Sequence, residues 1–405
     1  MSFSEWQKVK LGDIARYYTE RIANNLLTID NYISTENMLP QKNGVTIASA
    51  LPSGNAVRYK RGQTLISNIR PYFKKIWYAT KDGGCSSDVL VFNMLDKVNS
   101  KYFYYLLSQD KFFDYMMAGS KGTKMPRGDK KQIMKYPFLL PLPLEQKAIA
   151  DTLSCLDEKI ELNNRMNKTL EEMAQAIFKS WFVDFEPFQD GEFEDSEMGM
   201  IPKGWRVVEF YEISTIQNGY AFKSSDYQED GCKMIRTTNI GTDGFVDNID
   251  LINLPYNFLT DTKYQNFKFQ PFDTVLVMVG ASVGKIGLIT EKNIPSLQNQ
   301  NMWRFRSILE NVSPIYIHYT VKLINDRVKN WSSGSARDFY RKDSFQRALC
   351  ILPSEEVLKQ FNKIVEPIFN LISLNLMKNE NLRNIRDSLL PKLISGEIRV
   401  PIQEV

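Results

Sequence analysis

Residues 149–181, IADTLSCLDEKIELNNRMNKTLEEMAQAIFKSW, and residues 361–393, FNKIVEPIFNLISLNLMKNENLRNIRDSLLPKL, are two copies of one pattern. In the first, Ile149, Leu153, Leu156, Ile160, Asn163, Asn167, Leu170, Ala174, Ile177 and Trp181 recur at alternating steps of four and three, the spacing of a heptad seam. Adding 212 to each number gives Phe361, Val365, Ile368, Ile372, Asn375, Asn379, Leu382, Arg386, Leu389 and Leu393. Both seams therefore carry two asparagines at the same two places.

An asparagine in an apolar seam costs stability, because its amide must find a partner, and what it supplies in return is register. An antiparallel pair of helices with aligned centres sets Asn163 against Asn379 and Asn167 against Asn375, so that the four amides can satisfy one another. A parallel pair also aligns them. Each helix could instead bury its stripe on its own domain, or pair with another protein. The duplicated asparagines favour mutual pairing.

The two halves share further marks. Trp6-Gln-Lys-Val-Lys-Leu-Gly-Asp-Ile14 resembles Trp205-Arg-Val-Val-Glu-Phe-Tyr-Glu-Ile213, and each half reaches a Leu-Pro, at Leu140-Pro141 and Leu352-Pro353. This is an internal repeat. Its expected parts are a first variable domain over residues 1–143, a long helix over 144–186, an acidic linker over 187–204, a second variable domain over 205–353, and a second long helix over 354–396 with a tail over 397–405. Pro141 and Pro143 suit the start of the first helix, with Glu145 in its first turn. Ser354 suits the N-cap of the second, with Glu355 and Glu356 behind it. Pro367 should kink that helix and Pro391 should end it, which makes Leu393 the least secure seam position.

Composition narrows the class. The chain has 405 residues, no run approaching the ~20 apolar residues of a membrane span, and a start, MSFSEWQKVK, without a signal-peptide core, so a cytoplasmic location is expected. Cys85, Cys155, Cys232 and Cys350 are scattered, and His318 is the one histidine, so neither a disulfide framework nor a metal centre is supported. His318, between Tyr316 and Tyr319, reads as a packing residue. Residues 1–143 hold 21 Lys and Arg against 11 Asp and Glu, while residues 144–204 hold 6 against 14. A basic domain beside an acidic segment points to a polyanion held by the one and repelled by the other.

The basic residues come in runs. In the first domain they are Arg58, Lys60 and Arg61; Arg70, Lys74 and Lys75; and Lys121, Lys124 and Arg127, with aromatic residues, Gly and Pro between them. They lie around two expected strands, Thr64–Ile69 and Asp88–Phe92. Such mixtures suit phosphate contacts with base or sugar packing. Any single run reads more simply as a solvated face, but three in one domain favour nucleic acid. In the second domain Lys223, Arg236, Lys285, Arg337, Arg341 and Lys342 are the corresponding DNA-contact candidates. Gly280-Ala-Ser-Val-Gly-Lys285 follows an expected strand at Thr274–Val279 but is no phosphate-binding P-loop: three residues separate its glycines instead of four, and Ile286 stands where Ser or Thr would hold magnesium. A glycine turn that directs Lys285 at a ligand fits better.

Several phrases carry a family resemblance: Leu142-Pro-Leu-Glu-Gln146; Trp181-Phe-Val-Asp-Phe-Glu-Pro187 followed by Met198-Gly-Met-Ile-Pro-Lys-Gly-Trp205; Leu389-Leu-Pro-Lys-Leu-Ile-Ser-Gly-Glu-Ile398; and Gly280-Ala-Ser-Val-Gly284. On these the chain resembles the specificity subunit of a Type I restriction-modification system. The resemblance departs at Ser354-Glu-Glu-Val357, where the second helix lacks the Leu-Glu-Gln of the first. It implies an α+β fold of two mixed α/β target-recognition domains separated by two long antiparallel coiled-coil helices, related by a pseudo-twofold repeat. It also implies a non-catalytic subunit: each domain reads one half of a bipartite double-stranded DNA target, and the helices set the spacer and dock two methyltransferase subunits. Restriction subunits would join through these, and S-adenosylmethionine would bind the methyltransferase, leaving this chain without cofactor or metal. The competing readings are a self-sufficient DNA methyltransferase or nuclease, against which the absence of their motifs weighs, and a protein-binding adaptor, which would bind without salt dependence and ignore duplex DNA.

Overall fold

The computed structural model describes residues 6–95, 97–122, 124–332 and 340–401. The chain divides into two compact units, Met1–Ile160 with Asn381–Val405, and Glu161–Glu380. Helix Pro143–Phe182 and helix Glu355–Ser395 each contribute to both.

In the first unit the opening turns of the first long helix meet the closing turns of the second, so the pair is antiparallel. Ile149, Ala150 and Leu153 share a core with Leu390, Leu393 and Ile394, and with Leu11, Phe92, Phe103 and Phe112 of the surrounding domain. Beyond Ile149 and Leu153, Leu156 is half-buried and Ile160 buried. The Leu-Glu-Gln phrase serves this junction: Glu145, 1% exposed, accepts from Trp6 Nε1 at 2.8 Å and Arg399 Nε at 2.5 Å. Gln146 accepts from the Asn99 N–H at 3.0 Å and donates to the Pro141 carbonyl at 2.9 Å. A four-stranded antiparallel sheet runs Ala15–Tyr17, Val89–Met94, Thr64–Ser67, Ile76–Tyr78. A second sheet runs Arg21–Ile22, Ala56–Tyr59, Gly83–Cys85, Tyr32–Ile33, its last pair parallel. Helix Ser100–Leu107 covers the first sheet, and helix Asp110–Ala118 adds Phe112, Phe113 and Met116 to the same core.

The second unit repeats the order. Its antiparallel sheet runs Ser214–Asn218, Met302–Ser307, Thr274–Val277, Ile286–Leu288. Its other sheet runs Ile252–Leu254, Cys232–Ile235, Ser296–Gln298, again with a parallel last pair. Helix Pro314–Ser332 takes the covering place, and His318 on it is a core residue, 3% exposed and 3.1 Å from Thr274 Oγ1. Burial, and then the Lys322 charge, hold its imidazole well below the usual histidine range.

The asparagines lie in this unit. Asn163 donates to Asn379 at 2.8 Å and Asn375 to Asn167 at 2.9 Å, with all four side chains buried. Satisfaction of the four by one another is incomplete. Asn379 donates outside the quartet, to Asn164 at 2.7 Å, and the Asn167 amide nitrogen is buried without a partner.

Pro391 does not end the second helix, which runs through Pro367 and Pro391 to Ser395, and Leu393 is buried. Both prolines are on the exposed side, as are Lys363 and Asp387, whose carbonyls lose an N–H partner four residues on. Water can satisfy those carbonyls, while Leu390, Leu393 and Ile394 hold the last turns by burial. The helix stops instead at Gly396, whose φ of 77° suits glycine.

The acidic stretch after the first helix is folded. Phe182, Phe185 and Phe188 gather round Trp205 with ring centroids 4.9–5.9 Å away, and Phe193–Glu194 pairs with Ile201–Pro202. Aromatic side chains interleaved among the acids pin the segment to the core.

Candidate nucleic-acid interface

In the first unit, four loops meet at one edge of the paired sheets, residues 34–37, 67–75, 86–88 and 124–129. Backbone hydrogen bonds join them: Asn68 N–H to Asp88 carbonyl at 2.8 Å, Arg70 to Pro126 at 2.8 Å, Gly128 to Asn68 at 3.2 Å, and Ser86 to Ile33 at 2.9 Å. The loop 67–75 turns at two left-handed corners, Arg70 with φ 50° and Lys74 with φ 52°, which cost a side-chain-bearing residue energy and must be held by their surroundings.

This edge gathers Arg70, Lys74, Lys75, Lys121, Lys124 and Arg127. Lys75 donates to the Thr35 carbonyl at 2.6 Å; burial, and then the Arg70 charge, push its ammonium below the usual lysine range. Lys74 and Lys42 both reach Asp110, at 3.0 and 2.8 Å. Burial draws the Asp110 carboxyl up, but the hydrogen bonds from the two lysines outweigh it and the net shift is down. Lys121 pairs with Asp129 at 3.1 Å and Arg127 with Asp88 at 3.3 Å. Lys121, Lys124 and Arg127 are exposed, so these links are cheap to exchange for a phosphate.

The run Arg58, Lys60, Arg61 is not brought to this edge. It lies at the opposite end of strand Thr64–Ser67, where Lys60 stands 5.5 Å from the Tyr18 ring, the Arg61 N–H donates to Asp82 at 2.8 Å, and Arg58 is half-buried in the strand Ala56–Tyr59.

The second unit builds the same edge. Loop 277–285 matches loop 67–75 position by position: the Val277 N–H donates to the Lys285 carbonyl at 2.9 Å as Ser67 does to Lys75 at 3.1 Å. Its left-handed corners are Gly280 with φ 90° and Gly284 with φ 81°, at the places of Arg70 and Lys74. Lys285 thus occupies the place of Lys75. Met278 donates to Asn301 at 3.2 Å, as Asn68 does to Asp88, and Tyr340 donates to Met278 at 2.8 Å, as Gly128 does to Asn68. A Cβ on Gly284 would fall 2.6 Å from the Tyr340 hydroxyl, so glycine here permits both the corner and the close approach. Arg341 and Lys342 follow Tyr340 directly; Arg337 lies outside the described residues. Arg236 opens the turn 236–239, donating to the Asp250 carbonyl at 2.5 Å. Lys223 is exposed, three residues past Tyr220, whose backbone pairs with Gln298 and Gln300.

The equivalence of these loops, and the turns 34–37 and 236–239, are not among the features expected from sequence. Their signal was present, as Lys75-Ile76 against Lys285-Ile286 and as Ile33-Ser-Thr-Glu-Asn37 against Ile235-Arg-Thr-Thr-Asn239. Both are short and lie in the regions where the halves diverge most.

An edge of cations and rigid turns suits the sugar–phosphate backbone, with exposed side chains left over for base edges. Among the described residues no group of His, Cys, Asp and Glu could hold a metal ion, and no helix is long and apolar enough to cross a membrane. The family model described as Type I restriction modification DNA specificity domain matches residues 3–172 and 202–384, one match on each half of the repeat. The HindI specificity subunit of Haemophilus influenzae is 26% identical over 464 residues, covering 98% of this chain and 100% of the relative. The MjaIX specificity subunit of Methanocaldococcus jannaschii is 26% identical over 313 residues, covering 75% and 70%. The crystal structure of the S subunit from M. genitalium superposes with a TM-score of 0.56 at 17% identity over 97% of this chain and 96% of that one, a likeness of fold. With both halves matched and the repeat carried through both units, the chain belongs to the family of Type I restriction-modification DNA specificity subunits.

Proposed function

We propose that each unit reads one half of a bipartite duplex DNA target through its four-loop edge, and that the long helices set the spacer between the halves. The observation that carries this is the duplication of the edge: the same nine-residue loop, with two left-handed corners and a lysine at its end, is built once per unit. The chain itself performs no chemistry in this reading. Two methyltransferase subunits, holding S-adenosylmethionine, dock on the helices, and restriction subunits join through the complex in the cytoplasm. Apolar side chains left exposed on the helices, Leu162, Met166 and Met173 on the first and Leu371 and Leu374 on the second, supply surface for that docking.

Lys124 and Arg127 test the DNA side. Replacing both by Ala should lower the slope of log affinity against log salt by roughly one for each phosphate that is no longer neutralised, measured by titrating the complex with target duplex at several salt concentrations. A slope identical to that of the parent chain would place the DNA elsewhere.

A further inference from the structure

The two units share one turn that differs at its tip. In the first, the Ser34 N–H donates to Asn37 Oδ1 at 2.6 Å, and Asn37 Nδ2 donates to the Tyr32 and Thr46 carbonyls at 3.0 and 2.8 Å. In the second, the Arg236 N–H donates to Asn239 Oδ1 at 2.9 Å, and Asn239 Nδ2 donates to the Ile249 carbonyl at 2.7 Å. Each asparagine carbonyl also accepts a backbone bond, from Thr46 at 2.8 Å and from Asp247 at 2.9 Å. Both asparagines are buried, 5% and 1% exposed, so the backbone of each turn is fixed from within. The residue just before them is exposed in both, and it is Glu36 in one and Thr238 in the other.

The first turn is latched to the basic loop. The carbonyl of Thr35, next to Glu36, accepts from Lys75, and Arg127 pairs with Asp88, which lines with Glu36 and Thr46 an open cleft of about 500 Å³. A carboxylate at such a place repels phosphate and weakens any purely backbone-binding surface. A rigid turn that presents an exposed carboxylate next to a loop carrying cations suits contact with a base edge instead. A carboxylate accepts only, so its partner in the major groove is an exocyclic amino group, of cytosine or of adenine. A threonine hydroxyl both donates and accepts, and its methyl meets the methyl of thymine.

We infer that Glu36 and Thr238 are equivalent specificity-determining residues, one per half-target, and that Glu36 accepts a hydrogen bond from the amino group of a cytosine or adenine. This rests on the proposed function and assigns one base position to one side chain. The test is selection from a duplex library randomised over both halves, using the full chain assembled with the methyltransferase subunits of its own system. The parent complex should select cytosine or adenine at a position that Glu36→Thr alters by on the order of ten-fold, with the other half unchanged; Thr238→Glu should alter one position of that other half. Glu36→Gln, whose amide donates as well as accepts, should shift the same position towards adenine if the parent selects cytosine, and keep adenine if the parent selects it. An unaltered selected sequence in both Glu36 variants would overturn the assignment while leaving the function standing, and so would a gain in affinity equal for all sequences, which marks mere relief of repulsion. A parent complex that selects no sequence would overturn the function and the assignment with it.

Discussion

At the scale of single residues, two buried polar groups govern stability in ways that can be measured. Asn379 is the centre of the seam network, accepting from Asn163 and donating to Asn164. Asn379→Leu leaves the Asn163 amide buried without its acceptor, a loss of about 1–3 kcal/mol by denaturant unfolding. Adding Asn163→Leu removes the orphan, so the double variant should be less destabilised than the sum of the single ones. A strictly additive pair would show that the two amides act independently. His318 gives a pH signature. Its folded-state pKa lies well below the ordinary value of 6.5, so below pH 6.5 the unfolded chain binds a proton that the folded chain refuses. Its contribution is complete above pH 6.5 and is lost as pH falls from there towards the depressed folded value. His318→Gln, though costly in packing, should flatten that part of the stability profile; an unchanged slope would assign the acid sensitivity to other groups.

At the scale of elements, the long helices carry both packing and spacing. They hold 40 and 41 residues, about 60 Å each at 1.5 Å per residue, against roughly 34–36 Å for one turn of DNA. Four residues inserted between Arg165 and Met166 add about 6 Å and displace Asn163 and Asn164 relative to Asn167. The expected outcome is a longer preferred spacer, or loss of binding, with both half-sequences kept. Binding to the original spacer at full affinity would remove the helices from the role of ruler. The second helix also shows why element ends are hard to read locally. Pro391 is a stop signal in sequence, yet burial of Leu390, Leu393 and Ile394 on the opposite side carries the helix past it.

At the scale of the whole molecule, the repeat predicts modularity. Exchanging residues 205–350 for the same region of another specificity subunit should change one half of the methylated sequence and keep the other; a change in both halves would mean that the units do not read separately. The repeat, the two seams, the α+β class and the segregation of charge were legible in the residues, because hydrophobic period and composition are local properties that burial of a face imposes directly on a chain. That the asparagines meet one another was legible, since an amide in a seam has few places to find a partner. Parallel and antiparallel pairs both align them, however, and the tertiary structure decided for Asn163 with Asn379 and Asn167 with Asn375. The sorting of the cations was not legible. Arg61 and Arg70 are nine residues apart in sequence, yet they stand at opposite ends of strand Thr64–Ser67, while Arg70 and Arg127 come together through the Arg70–Pro126 bond. The kinship of Arg70–Lys75 with Gly280–Lys285, and the turns that present Glu36 and Thr238, were hidden for the same reason. A loop's partners depend on which strand ends share an edge, and that follows from pairing between residues far apart in sequence, which no local pattern encodes.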